Sequence, residues 1–303
     1  MSNASRPPSK NERRDAAREK AREQRVRQQR RERRNRVVLQ ASIGVVILAI
    51  VAVVAVVIVN SVRPPGPGPR NMANGGITIT GAAFEPVTTG AAAPAATPTP
   101  ETASSGKVLI QIFEDFGCPY CNQFETANST QIEALVKSGA ASVQYFPVAI
   151  LDRSFSDQYS TRAANAAAAV ANWSPKTYYA FHEDLYEQQP TEGGAGLTDD
   201  KLIEIARTAG ASNMTQIEKA IRDQQFKNWV GTRTEEFSSK AGALADADIP
   251  STSVGSTPTV LVNGKLYPGA PGDAAAFGNF FTTTGGAATP SPSASPTPSP
   301  TAG

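Results

Sequence analysis

The chain has 303 residues, 29 Lys/Arg against 27 Asp/Glu, and a net charge of +2. One histidine and two cysteines are too few for the usual four-ligand zinc site. No NAD, flavin or haem fingerprint occurs, so any redox chemistry falls to the cysteines themselves.

The charge is unevenly spread. Residues 1–36 carry a local net of +9, and the remainder carries −7. Such asymmetry points to a membrane surface before it points to nucleic acid. The stretch from Lys10 to Arg36 has good helix formers and almost no apolar face, and reads as a solvated cytoplasmic segment that also touches anionic lipid. Val37 to Val62 has no charged residue, enough for one transmembrane helix of about 20 apolar residues. A cleaved signal peptide is the other reading, but the leading segment is long and Val59-Asn60-Ser61-Val62-Arg63 offers no clear cleavage site. The expectation is an uncleaved anchor, residues 37–62, with residues 1–36 in the cytoplasm and everything after Arg63 outside. Disulfides form and persist in that outer compartment.

Residues 63–106 read as a Pro/Gly/Ala/Thr-rich linker, with Ile77–Thr80 as a short edge strand if it joins the sheet. An apolar, β-branched run, Val108 to Phe113, then leads into Phe116-Gly117-Cys118-Pro119-Tyr120-Cys121. Pro119 suits the first position of a helix, because its missing N–H would be unpaired there. Cys118 therefore sits at the helix start, facing unpaired N–H groups and the positive end of the dipole. That place stabilises a thiolate, the nucleophile of thiol–disulfide exchange, and predicts a Cys118 pKa below the free value of about 8.5. Cys121 follows one turn later. A C-x-x-C that closes a strand and opens a helix is a redox signature. A structural disulfide is the bland alternative, but so short a loop removes little entropy from the unfolded chain.

Beyond the motif, periodicity weakens at Asn128-Ser129-Thr130, which reads as a break or a new cap, and the helix ends at Gly139. Val143 to Val148 is a strand. A block of helices follows: an alanine-rich one over Arg162–Trp173, one over Lys176–Gln188 with Tyr178, Phe181 and Leu185 on one face, one capped by Thr198 and closed by Gly210, one opened by a capping box at Thr215 and Glu218, and one over Phe226–Ala245. Thr259–Val262 and Lys265–Tyr267 form a hairpin about Asn263-Gly264. Pro271–Phe281 gives a last helix, and residues 282–303 a disordered Ser/Thr/Pro tail. His182 reads as a surface residue of a polar helix.

The order strand, C-x-x-C helix, strand, helical block, hairpin and helix resembles the thioredoxin fold with a helical insertion. More closely, it resembles the membrane-anchored DsbA-like proteins of actinobacteria. The matching stretches are Glu114–Cys121, Pro147–Arg153 and Ser256–Gly264, with the helical block between them. The resemblance implies an α/β fold, a DsbA-like domain over residues 107–281, an insertion over about 160–245, and one transmembrane helix in front. It also implies a cis bond at Pro258, facing the cysteines; an ordinary proline at a strand start is the alternative from the residues alone. Departures are visible. Pro119-Tyr120 stands where the best-known DsbA has Pro-His, so thiolate stabilisation should be smaller. Ile112 stands where many relatives bury an acid, which leaves Glu114 and Asp115 as candidates for a proton relay, or as members of a solvated loop or cap.

The function this implies is an extracytoplasmic thiol–disulfide oxidoreductase with no cofactor and no metal. Cys118 would attack, Cys121 would resolve, and Thr257, Pro258, Pro119 and Tyr120 would meet the substrate. Exported proteins with cysteines are the expected clients, and a membrane protein of the DsbB or VKOR type the redox partner. The competing readings are a tethered peptide-binding or chaperone-like module whose disulfide is structural, and a thiol reductase.

Overall fold

In the computed structural model of the chain, residues 67–91 and 107–285 are described. The basic segment, the anchor over 37–62 and most of the tail lie outside them. Among the described residues no helix is long and apolar enough to cross a membrane.

Six strands form one sheet: β1 Ile77–Thr80, β2 Glu85–Pro86, β3 Val108–Glu114, β4 Ala141–Pro147, β5 Thr259–Val262 and β6 Lys265–Leu266, in the order β2-β1-β4-β3-β5-β6. β3 and β4 are parallel and the other pairings antiparallel. All seven residues of β3 are buried, Gln111 and Glu114 included, as in a strand covered on both faces. β1 is not at the edge. It lies between β2 and β4, with Ile77 opposite Tyr145 and Ile79 opposite Val143. Met72, Ile77 and Ile79 are within the core, so residues 67–91 belong to the folded domain and the expected linker is shorter. The β hairpin turns on Asn263 and Gly264, both at positive φ, and Asn263 Oδ1 accepts from Leu109 N at 2.9 Å.

The motif helix, α1 Pro119–Lys137, runs unbroken through Asn128. The expected break fails because Asn128 is satisfied inside the helix: its Nδ2 donates to Phe124 O at 2.9 Å and to Pro271 O at 3.0 Å. The insertion holds α2 Tyr159–Trp173, α3 Tyr178–Glu187, α4 Asp199–Thr208, α5 Met214–Arg222 and α6 Lys227–Ser238, and α7 Ala274–Thr283 closes the fold. α2 is buried on every side from Tyr159 to Ala171, where its alanines admit neighbouring helices. Thr198 caps α4 by accepting from Lys201 N. The capping box at Thr215 does not form. α5 is capped two residues earlier, at Asn213, and Glu218 instead pairs with Arg207 at 2.5 Å. α6 also ends sooner than its apolar pattern, at Ser238; Lys240 takes a positive φ and Leu244 returns to the core from a short turn.

The sheet separates two cores. Ile110, Ile112, Val143, Tyr145, Val260 and Val262 belong to the larger one, with α1, α7 and the helical block. Phe113, Phe146 and Leu261 belong to the smaller. There Phe113 stacks on Phe146 at 4.2 Å and on Phe237 at 5.3 Å. The long stretch before Thr257 has its place here: Ala247 and Ile249 are buried against this second face.

Candidate active site

β3 delivers Glu114, Asp115 and Phe116 to the start of α1, and Cys118 is the residue before its first turn, with Pro119 first in the helix. Gly117 is required by space. A Cβ there would lie 2.5 Å from the Phe155 ring. Opposite, the Thr257–Pro258 peptide bond is cis, as the resemblance implies, and β5 begins one residue later. The Cys118 thiol donates to Thr257 O at 3.4 Å. Tyr120 stands out at 60 % exposure, Cys118 keeps 4 % and Cys121 1 %. Both cysteines are free thiols.

Their environments differ. Cys118 is lowered to about 6: the Cys121 thiol hydrogen-bonds to its sulfur, burial opposes, and Thr257 and the N–H groups of Cys121 and Tyr120 help. The N–H groups of the helix start therefore contribute, but the second cysteine contributes most. Thr257 Oγ1 is buried and unpaired beside the thiol, and so is available to the thiolate. Cys121 is pushed well above its ordinary range by burial, by Cys118 and by the charge of Glu114.

Glu114 and Asp115 are fully buried, which corrects the reading of a solvated loop. Asp115 braces the motif. Its Oδ1 accepts from Gly117 N at 2.8 Å and its Oδ2 from Leu151 N at 2.9 Å, while burial raises its pKa to about 6. His182 is also fully buried, contrary to expectation, because Tyr178 and Leu185 carry its face of α3 into the core. Its Nε2 sits 2.8 and 3.0 Å from the two Glu114 oxygens. Tyr186 Oη donates to Glu114 Oε2 at 3.2 Å. Sequence reasoning also missed Gln189, whose Nε2 donates to Phe116 O and Cys118 O at 2.9 and 3.0 Å. No local signal marks it; it reaches the motif from just beyond the end of α3. It missed Glu125 as well, although Glu125 follows Cys121 by four residues on the buried face of α1. Among the described residues, Glu114, Glu125 and His182 form the one cluster with metal-ligating spacing.

A family model described as thioredoxin matches residues 103–278. The chain belongs to the thioredoxin family. Among solved structures, this thioredoxin-family chain is similar to the reduced disulfide bond oxidoreductase DsbG of Mycobacterium tuberculosis, at 27 % identity over 71 % of this chain and 90 % of that one, with a TM-score of 0.52. It is similar to oxidised DsbA of the same organism at 28 % identity, over 70 % and 94 % of the two chains, with a TM-score of 0.52. BdbD from Bacillus subtilis, 17 % identical, shares the fold over 73 % of this chain and 98 % of its own, with a TM-score of 0.51. These structural neighbours of the DsbA type are thiol–disulfide oxidoreductases. Among curated proteins, 113 residues are 35 % identical to the serine/threonine-protein kinase PknE of M. tuberculosis, 36 % of this chain. The match spans about a fifth of the kinase's length.

Proposed function

We propose that this thioredoxin-family chain is an anchored thiol–disulfide oxidoreductase that introduces disulfides into exported proteins outside the cytoplasm. The observation that carries the reading is the split between the two thiols: Cys118 lowered to about 6, Cys121 pushed far up beneath it. A stabilised Cys118 thiolate favours the reduced pair, and a pair that favours reduction oxidises its clients. A client thiolate attacks Cys118 Sγ of the oxidised pair, the S–S bond breaks, and its electrons leave on Cys121 Sγ. A second client thiolate then attacks the client sulfur of the mixed disulfide. The client disulfide forms and Cys118 departs as the thiolate the site stabilises. Thr257 and Pro258 line the client's extended backbone, with Pro119 and exposed Tyr120 beside them.

The membrane setting rests on sequence alone: the +9 segment, the uncharged Val37–Val62 run, and the −7 remainder. In this reading residues 1–36 lie against anionic lipid in the cytoplasm, and a membrane disulfide donor of the DsbB or VKOR type reoxidises the cysteines. Thiol oxidation by wild type and Cys118→Ser tests the activity. The reduction potential tests its direction, since thioredoxin lies at about −270 mV and DsbA at about −120 mV. A value near the first makes the protein a reductase. A membrane-impermeant maleimide added to intact wall-free cells should label Cys118; labelling only after lysis would overturn the orientation.

A further inference from the structure

Opening the disulfide leaves a negative charge on Cys121, a buried sulfur that strongly prefers to be a thiol. It needs a proton donor inside the protein. Asp115 is the acid that braces the motif, but above about pH 6 it has lost its proton.

A second group of acids lies behind the pair. Glu125 is one turn from Cys121 on the same face of α1, where side chains four apart are neighbours. It is 5 % exposed, and neither of its oxygens finds a hydrogen-bond partner. A bare carboxylate in such a place is costly, so the group keeps its proton. His182 faces it from α3, and the ligating atoms of Glu125, His182 and Glu114 lie within 4.8 Å of one another. Glu114, at the end of β3, links this group to Cys121: it is held against the imidazole, and the backbone N–H of the next residue, Asp115, hydrogen-bonds to the Cys121 sulfur, where the Glu114 charge is also felt. Tyr186, bonded to Glu114, is also within reach of the Cys121 charge.

The remaining groups around the cluster do not compete. Tyr145 on β4 and Tyr178 and Tyr179 on α3 are all raised by burial and stay neutral. Glu183 is exposed and acts only by charge, raising Glu125 and His182 alike.

We infer that Glu125 and His182, joined through Glu114, donate the proton that Cys121 takes up when its thiolate leaves the disulfide. The inference rests on the oxidoreductase reading and adds the acid that reading lacks. In the step, the client–Cys118 bond forms, the Cys118–Cys121 bond breaks, one proton moves from the cluster to Cys121 Sγ, and the cluster is left one charge more negative. Solvent then refills it. Burial raises Glu125 to about 8; burial pushes His182 down, but the charge and hydrogen bond of Glu114, with the charges of Glu125 and Glu183, bring it to about 8. Both are thus charged with protons at neutral pH, where Asp115 is not. Two sets of buried groups pushed to different pKa values divide the acid and base work between them.

The test uses the oxidised full-length protein and an aromatic thiol that is ionised across the whole pH range, so that the attacking thiolate does not vary. Wild type should open at a constant rate up to about pH 8 and slow above it. Glu125→Gln should open at least tenfold more slowly at pH 7, within the range expected for loss of a general acid. It should also lose the fall near pH 8, while the pH midpoint of Cys118 alkylation in the reduced protein stays put. His182→Gln gives an independent second variant. The single histidine offers a direct reading by NMR: its imidazole should titrate near pH 8 in the oxidised protein. A neutral imidazole throughout pH 6–8, wild-type opening rates in Glu125→Gln, or a divalent metal retained at one per chain would each overturn the inference. If wild type itself does not open, the oxidoreductase reading fails instead.

Discussion

The sulfur of Cys118 and the carbonyl oxygen of Thr257 are 139 residues apart in the chain and 3.4 Å apart in space. Three elements create that approach. β3 carries the motif to one end of the sheet, β5 pairs with β3 and starts there, and the helical block occupies the chain between them without separating the two strands. The nucleophile and the candidate client-binding residues thus flank the ends of adjacent strands of one sheet. Their relative position is set by the ladder from Ile110–Val262 to Phe113–Thr259.

The thiolate at Cys118 depends first on Cys121 and then on Thr257. Cys121→Ala should therefore move the midpoint of Cys118 alkylation upward from about 6 by a pH unit or more. Thr257→Val should move it the same way by less. At pH 6 the ionised fraction falls from about one half to below about one tenth for a one-unit rise. Iodoacetamide rates followed by mass spectrometry give both numbers. A midpoint unchanged in Cys121→Ala would return the thiolate to the helix terminus alone.

The burial difference assigns the order of attack. Cys118 keeps a sliver of surface beside exposed Tyr120, whereas Cys121 is enclosed. Cys121→Ser should accumulate mixed disulfides between Cys118 and client proteins, seen as high-mass bands on non-reducing gels. Those bands should vanish in the Cys118→Ser background. Bands trapped by Cys118→Ser would reverse the two roles.

Much of this site is legible from local pattern. The two cysteines are the only ones, proline follows the first, and a largely apolar strand precedes it. The buried acid–base cluster is not, because its members lie on three elements. Glu114 ends a strand, Glu125 sits on the motif helix and His182 on the insertion, so their meeting depends on how the insertion packs. A signal was present all the same. His182 is four residues after Tyr178 and four before Tyr186, and Glu125 four after Cys121, so helical spacing alone places each on an inward face. Their polarity argued otherwise, and pairing with Glu114 reversed it for His182. The capping box at Thr215 failed for a related reason: Glu218 had a better partner in Arg207, on a different helix.

The smaller core tests whether stability and chemistry separate. Phe237 closes the second sheet face by stacking over Phe113, which is itself one residue from Glu114. Phe237→Ala should cost about 3–5 kcal/mol, the range for a buried phenylalanine truncated in a core. Urea unfolding at fixed pH checks it. The midpoint of Cys118 alkylation in the folded variant should remain about 6, since none of the groups that set it touches Phe237. A shifted midpoint would show that the second core positions the motif as well as supporting it.

Three buried groups hold protons in the folded protein at pH values where the unfolded chain has released them. Asp115 rises from 3.8 to about 6 and Glu125 from 4.5 to about 8, both through burial. His182 rises from 6.5 to about 8: burial lowers it, and Glu114, Glu125 and Glu183 together more than offset that. For a carboxyl group raised in this way the folded state binds more protons than the unfolded state between the two values, so stability falls as pH rises through that window. For the raised imidazole the sign is the same: its contribution is complete below 6.5 and lost as pH passes 8. The windows overlap unevenly. Asp115 and Glu125 act together from 4.5 to 6, Glu125 alone from 6 to 6.5, and Glu125 with His182 from 6.5 to 8. The melting temperature of the oxidised protein, in which Cys118 has no thiol to titrate, should therefore be higher at pH 5 than at pH 8, with a shallower slope just above pH 6. Glu125→Gln should flatten the decline over the whole range from 4.5 to 8. It should also draw the histidine step to lower pH, because the carboxylate no longer supports the imidazolium. Calorimetry at half-unit intervals of pH would show this. A melting temperature that rises from pH 5 to pH 8 would mean that these groups are ionised in the folded state and paired with charges on other side chains.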